Sequence, residues 1–233
     1  MKNNYGMTSV VVLALTFALI PSPFPLFGAL WDEAGDGGGD AGQLTGSAQP
    51  VTGSFEFTGI SGSLSDSLDR DIYQIRITNP DDFSFIVTFA GGNTDTILAL
   101  FNSSGIGVVY HDNNSLTDLR SRLDYTSLFV NSPGDYYLAI MGGGQTFTST
   151  SGNIWNEVAP FEVQKAPDGV GASGALFGYA GVGQAPPVGN YTITVAGGVT
   201  PVPEPAFYGV AFAVMGLVVA GIRSRSSRKS IVS

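Results

Sequence analysis

Oxygen is the donor atom this chain holds in quantity. Asp66, Asp69 and Asp71 cluster just ahead of an alternating apolar segment, Asp95 closes a glycine-rich turn, and Asp112-Asn113-Asn114 forms a third oxygen-rich group. Carboxylates and amide oxygens gathered in this way suit a hard divalent cation such as calcium. Asp69, Asp71, Asp95 and Asp112 are the candidate ligands. The competing reading makes the same residues turn-formers and caps.

Catalytic groupings are not found. His111 is the single histidine, so any Ser-His-Asp triad would have to use it. Its place after Val108-Val109-Tyr110, beside Asp112, reads as a surface turn at a strand end. There is no Gly-x-Ser-x-Gly elbow, phosphate loop or dinucleotide fingerprint. A glycosidase needs a carboxylate pair with one raised pKa, and no pair here stands on an apolar background. The absence of cysteine excludes disulfides, thiolate catalysis and cysteine-ligated metals. The expectation is a chain that is not an enzyme.

The segments that must position these residues are short strands. The 233-residue chain has 32 glycines, 13 prolines and only 12% charged residues, a composition that favours strands and turns over helices. Phe83, Phe85, Val87 and Phe89 alternate with smaller or polar residues, as do Tyr73, Ile75 and Ile77; Tyr136, Leu138 and Ile140; and Tyr191, Ile193 and Val195. Segments 96–101, 108–110 and 125–130 are further strand candidates. Turn clusters such as Asn79-Pro80-Asp81-Asp82 and Asn131-Ser132-Pro133-Gly134-Asp135 separate them. Seven or eight such strands predict an all-β fold, an antiparallel sandwich, over residues 52–198. A 48-residue stretch at 142–189 interrupts it, rich in Gly, Ser, Thr and Pro. This composition suggests disorder, yet the stretch also holds Ile154, Trp155, Phe161, Leu176 and Tyr179. Those side chains either pack on the sandwich or supply a binding surface, for which Trp155, Phe161 and Tyr179 are the candidates. Segment 31–51 is acidic and glycine-rich and reads as a flexible linker. Its Asp-Gly repeats lack the calcium-loop spacing and closing glutamate.

Both ends read as addresses. Lys2 and the short apolar run Val10–Ile20, broken by Pro21, Pro23 and Pro25, form the pattern of a secretory signal helix over residues 1–30, served by Sec-type export machinery. Near the other end Val202-Pro203-Glu204-Pro205 precedes an uncharged run, Ala206–Ile222, and then a basic cluster of Arg223, Arg225, Arg228 and Lys229. As a helix the run would span roughly 26 Å, close to a hydrocarbon core of about 30 Å. The basic cluster marks the cytoplasmic side. The prolines keep the motif extended and accessible at the membrane edge. Between Trp31 and Thr200, 18 acidic residues face five basic ones, a net of −13. A body so charged repels nucleic acid.

The order Pro-Glu-Pro, apolar helix, arginine-rich end over residues 201–233 resembles the PEP-CTERM sorting signal. That resemblance implies an exosortase, a membrane protease-transpeptidase, cutting near the motif. It also implies a helix held by inner-membrane lipid, and an association with exopolysaccharide. In the body, Gly62-Ser63-Leu64, Asp69-Arg70-Asp71-Ile72-Tyr73, Asp95-Thr96-Ile97-Leu98 and Pro133-Gly134-Asp135-Tyr136-Tyr137 resemble bacterial pre-peptidase C-terminal (PPC) domains. That second resemblance implies a jelly-roll-like sandwich, some members of which bind calcium or polymers. The function expected is an exported envelope or matrix protein with a structural or adhesive sandwich. The alternative is a carbohydrate- or protein-binding module permanently tail-anchored in the membrane.

Overall fold

The computed structural model describes residues 28–53, 57–89, 95–181 and 189–203. The expected signal segment up to residue 27, and the chain from Glu204 onward, lie outside the described residues. Among those residues, no helix is long and apolar enough to cross a membrane.

The fold is all-β. Its strands are β1 (Ala29–Asp32), β2 (Gln49–Pro50), β3 (Phe57–Leu64), β4 (Arg70–Ile77), β5 (Phe83–Phe89), β6 (Thr96–Asn102) and β7 (Gly107–His111). They continue with β8 (Arg122–Asp124), β9 (Gly134–Gly142), β10 (Gln145–Ser149), β11 (Gly152–Asn153), β12 (Gly178–Gly181), β13 (Gly189–Gly197) and β14 (Val199–Thr200). One sheet runs β1-β3-β13-β5-β8 and a second β14-β4-β9-β6-β7, with β2 also on β4. Pairing is antiparallel except for β1 with β3 and β2 with β4.

Alternation explains how the two sheets meet. Tyr73, Ile75 and Ile77 of β4, and Leu138 and Ile140 of β9, share one core with Ile60 of β3, Phe85 and Val87 of β5, and Ile193 and Val195 of β13. Neighbouring positions point the other way. Ile72, Ile97, Ala99, Phe101, Tyr110, Ala139 and Met141 form a second core on the outer face of the second sheet. Burial on both faces accounts for the unbroken apolar run of β6.

The cover of that outer face is the stretch 142–189, as far as it is described. It is not a structureless loop. It forms a third sheet, β11-β10-β12, and lays Phe147, Ile154, Trp155 and Leu176 on the second core. Composition hides this outcome because the few large apolar residues, spaced irregularly, do the packing.

Segment 31–51 also differs from expectation. It supplies half of β1 and all of β2, and buries Trp31, Ala41 and Val51 completely or nearly so. Segment 125–130 is not a strand. Asp124 caps a 3-10 turn at Tyr125–Ser127 by accepting from Thr126 N–H at 3.0 Å, and Leu128 takes φ 60°. The strand there is β8, just upstream.

Candidate metal centre

Asp71 shares the inner face of β4 with Tyr73, so it points between the sheets near the end of the sandwich. It is fully buried. Glu33, in the turn after β1, is held against β3 by its own backbone N–H to Ser61 O at 2.9 Å. Its Oε2 accepts from Ser63 N–H at 3.0 Å and its Oε1 from Ala41 N–H at 3.0 Å. The glycine-rich loop 33–41 thus closes around one carboxylate, and Asp40 comes with it. One oxygen each of Glu33, Asp40 and Asp71 lie within 4.8 Å of one another.

Two tyrosines complete the site. Tyr73, from the second sheet, donates to Glu33 Oε1 at 2.9 Å, and Tyr191, from β13 in the first, donates to Asp71 Oδ2 at 2.7 Å. The two hydroxyls also contact each other across the sandwich. Their room comes from Gly62, which pairs with Tyr191 in the β3–β13 register. A Cβ at Gly62 would stand 2.6 Å from the Tyr191 hydroxyl and 2.7 Å from that of Tyr73.

The proton count is short by one. Four oxygens in a row, Glu33–Tyr73–Tyr191–Asp71, make three contacts and hold two phenolic hydrogens. A proton on Asp71 would supply the third hydrogen, with Tyr191 then turning its own toward Tyr73. Burial, then the Glu33 carboxylate, then Asp69 and Asp40 push Asp71 up to about 9 against the pull of Tyr191. Burial likewise raises Glu33, which the Ser63 and Ala41 N–H groups and Tyr73 oppose. Burial and Asp69 raise Asp40. Asp71 Oδ1 is buried and accepts no hydrogen bond. An orphaned carboxylate oxygen, two further carboxylates and all-oxygen surroundings fit a hard divalent cation of the calcium class. Asp71, Glu33 and the exposed Asp40 would hold it. A cleft lined by Asp32, Glu33, Ser61, Gly62, Asn190 and Tyr191 opens beside the cluster.

The four ligands expected from sequence do not share one site. Asp71 belongs to the cluster above. Asp69 spends its carboxylate on the turn into β4, accepting from Ser65 N–H and from Arg70 N–H at 2.8 Å. Asp95 and Asp112 meet elsewhere, with their carboxyls in hydrogen-bonding contact, and burial followed by Asp95 pushes Asp112 up to about 7. Glu33 and Asp40 were hidden in a segment that reads as linker. The signal that marks them is Trp31, a large apolar residue that a solvated linker does not need.

The expected binding aromatics are not a surface group. Trp155 is fully buried, stacked on Tyr110 at 5.6 Å and edge-on to Phe101 at 5.5 Å. Tyr179 is half-buried, with the Arg70 guanidinium 4.2 Å over its ring and its hydroxyl donating to Gln43 O. It ties the third sheet to segment 31–51. Phe161 is half-buried beneath Lys165 Nζ at 5.6 Å. The well-exposed aromatic of this stretch is Phe177.

His111 is buried, not at a surface turn. Its Nδ1 accepts from Arg122 N–H at 3.0 Å, and it bonds the backbone of Glu162. It links β7 to β8 and to the third-sheet segment, and burial pushes it down to about 4. Of the expected sorting motif, Val202 and Pro203 are described, and Val202 is buried while Pro203 is exposed. Glu204, Pro205 and the basic residues Arg223, Arg225, Arg228 and Lys229 lie outside the described residues. No protein-family model and no curated protein matches this chain.

Proposed function

We propose that this is an exported cell-envelope or extracellular-matrix protein. Its body is a non-catalytic, jelly-roll-like β-sandwich with a structural or adhesive role. A Sec-type signal exports it, a membrane helix and basic tail hold it in the inner membrane, and an exosortase-like enzyme processes it at Val202-Pro203-Glu204-Pro205. Exopolysaccharide is the matrix partner.

The observation that carries this reading is how the edge of the sheet meets the motif. Val202 N–H donates to Val51 O at 2.8 Å, and Val202 bridges Thr52 in parallel register. The next residue, Pro203, has no N–H with which to continue the ladder. Among the described residues, the last hydrogen bond of this sheet edge therefore falls on the first residue of the motif. A cut just beyond Pro203 would remove a membrane anchor without taking any residue of either core. Release of a stable body is what a removable anchor requires.

A cation at Glu33, Asp40 and Asp71 suits this role. It would tie the N-terminal segment to both sheets in a protein with no disulfide. Extracellular modules bind calcium at about 0.1–1 mM, where it is abundant outside cells.

The test replaces Pro203-Glu204-Pro205 with three alanines in native cells that express the processing enzyme. The variant should accumulate in the inner membrane with its tail intact while the parent reaches the envelope or medium without it. Equal processing of the two would refute the sorting reading.

A further inference from the structure

Asp71 and Asp112 stand at the same end of the second sheet, since β4 begins opposite Met141, Met141 faces Ile97, and Leu98 faces His111. They occupy opposite faces. Asp71 has the inward parity of Tyr73, whereas Asp112 has the outward parity of Tyr110, on the side covered by the third-sheet segment.

We infer that Asp95 and Asp112 form a second divalent-cation site on this outer face, independent of the inner one. Two carboxyls in contact repel each other unless a proton or a cation lies between them. Asp95 Oδ1 and Asp112 Oδ1 are both buried atoms with no donor, and the neighbouring Asn113 Oδ1 is a third. These are acceptors awaiting positive charge.

A separate observation points to the same place. Tyr110 is 1% exposed and its hydroxyl has no partner. The carboxylates of Asp112, Glu157 and Asp95 all bear on that hydroxyl. A buried phenol left bare is costly. Beside a bound cation it becomes a neutral oxygen ligand or a donor to the hydration shell of the ion.

The backbone leaves room for the acid. A Cβ at Gly143 would stand 2.4 Å from the Asp95 carboxyl, and Gly143 N–H donates to Asp95 O at 3.2 Å. Three carboxylates face one lysine, Lys165, whose Nζ bonds Val158 O. The balance is negative, and all-oxygen donors select a calcium-class ion over softer metals.

The position gives the ion a job. Tyr110 and Lys165 exchange backbone hydrogen bonds at 3.0 and 2.8 Å, and Asn113 N–H donates to Phe161 O at 3.2 Å. The ion would pin the covering segment to the end of β7.

Calcium titration by calorimetry of the full-length, chelator-stripped chain in detergent tests this. The parent should take two equivalents, and Asp112→Asn and Asp95→Asn should each take one or bind the second at least about tenfold more weakly. Asp71→Asn should retain the equivalent that the additional Asp112→Asn removes. One equivalent in the parent and none in Asp112→Asn would uphold the outer site while removing the inner. Equal stoichiometry and affinity in parent, Asp95→Asn and Asp112→Asn would overturn the outer site. Far-UV circular dichroism of each variant confirms that any loss is of ligand and not of fold.

Discussion

Asp71 carries the sharpest consequence at the scale of single residues. In chelator-treated protein its folded form keeps a proton up to about pH 9, whereas the unfolded chain releases it near the ordinary carboxylate value. The stabilising proton is fully in place below the unfolded pKa and is lost as pH rises through the folded one. Between pH 7 and 9 the metal-free chain should lose up to about 1.4 kcal/mol per pH unit. His111, pushed down to about 4, acts at lower pH, and Asp112, pushed up to about 7, adds to the slope near pH 7 and has largely lost its proton by pH 8. Denaturant titrations at pH 8, 8.5 and 9 should show the slope in the parent and not in Asp71→Asn. Calcium at a hundredfold excess over its Kd should add about 2.7 kcal/mol through the inner site, and Asp71→Asn should forfeit that gain. A flat pH profile in the parent would contradict the buried-proton account. Gly62→Ala probes the same cluster from its other side. Its methyl would collide with both tyrosine hydroxyls, so it should cost about 1–3 kcal/mol in a denaturant melt.

Elements decide which of these residues meet, and here sequence and structure part company instructively. The strands of the sandwich were legible because period-two alternation survives wherever one face is buried and the other wet, as in Tyr73, Ile75 and Ile77. The turn Asp124–Leu128 was not, since a single side-chain cap overrode an apolar run. The third sheet was hidden by its Gly, Ser and Thr content, although Ile154 and Trp155 gave warning. The inner site was half legible: Asp71 and its tyrosine neighbour stood out, while Glu33 and Asp40 sat in a glycine-rich stretch whose closure depends on a contact 30 residues away, Glu33 with Ser63. Trp155 tests the role of the covering segment. Fully buried against Phe101, Tyr110 and Phe147, it should cost about 3–5 kcal/mol on replacement by alanine. Carbohydrate binding lost without any loss of stability would instead make Trp155 a ligand platform.

Across the whole molecule charge and fold divide the same way. The acidic body, net −13 between Trp31 and Thr200, has its Val202 hydrogen-bonded to Val51, and the basic cluster lies beyond the apolar run in the sequence. On the proposed reading the basic cluster stays on the cytoplasmic side of a membrane and the body on the other, with the Pro-Glu-Pro motif at the junction. Intact mass of the protein from fractionated native cells with an active processing enzyme tests this division most directly. The account predicts an envelope or secreted form lacking the N-terminal signal and everything beyond about Pro205. An inner-membrane form that retains Ala206 to Ser233 would contradict it and leave a plain tail-anchored protein.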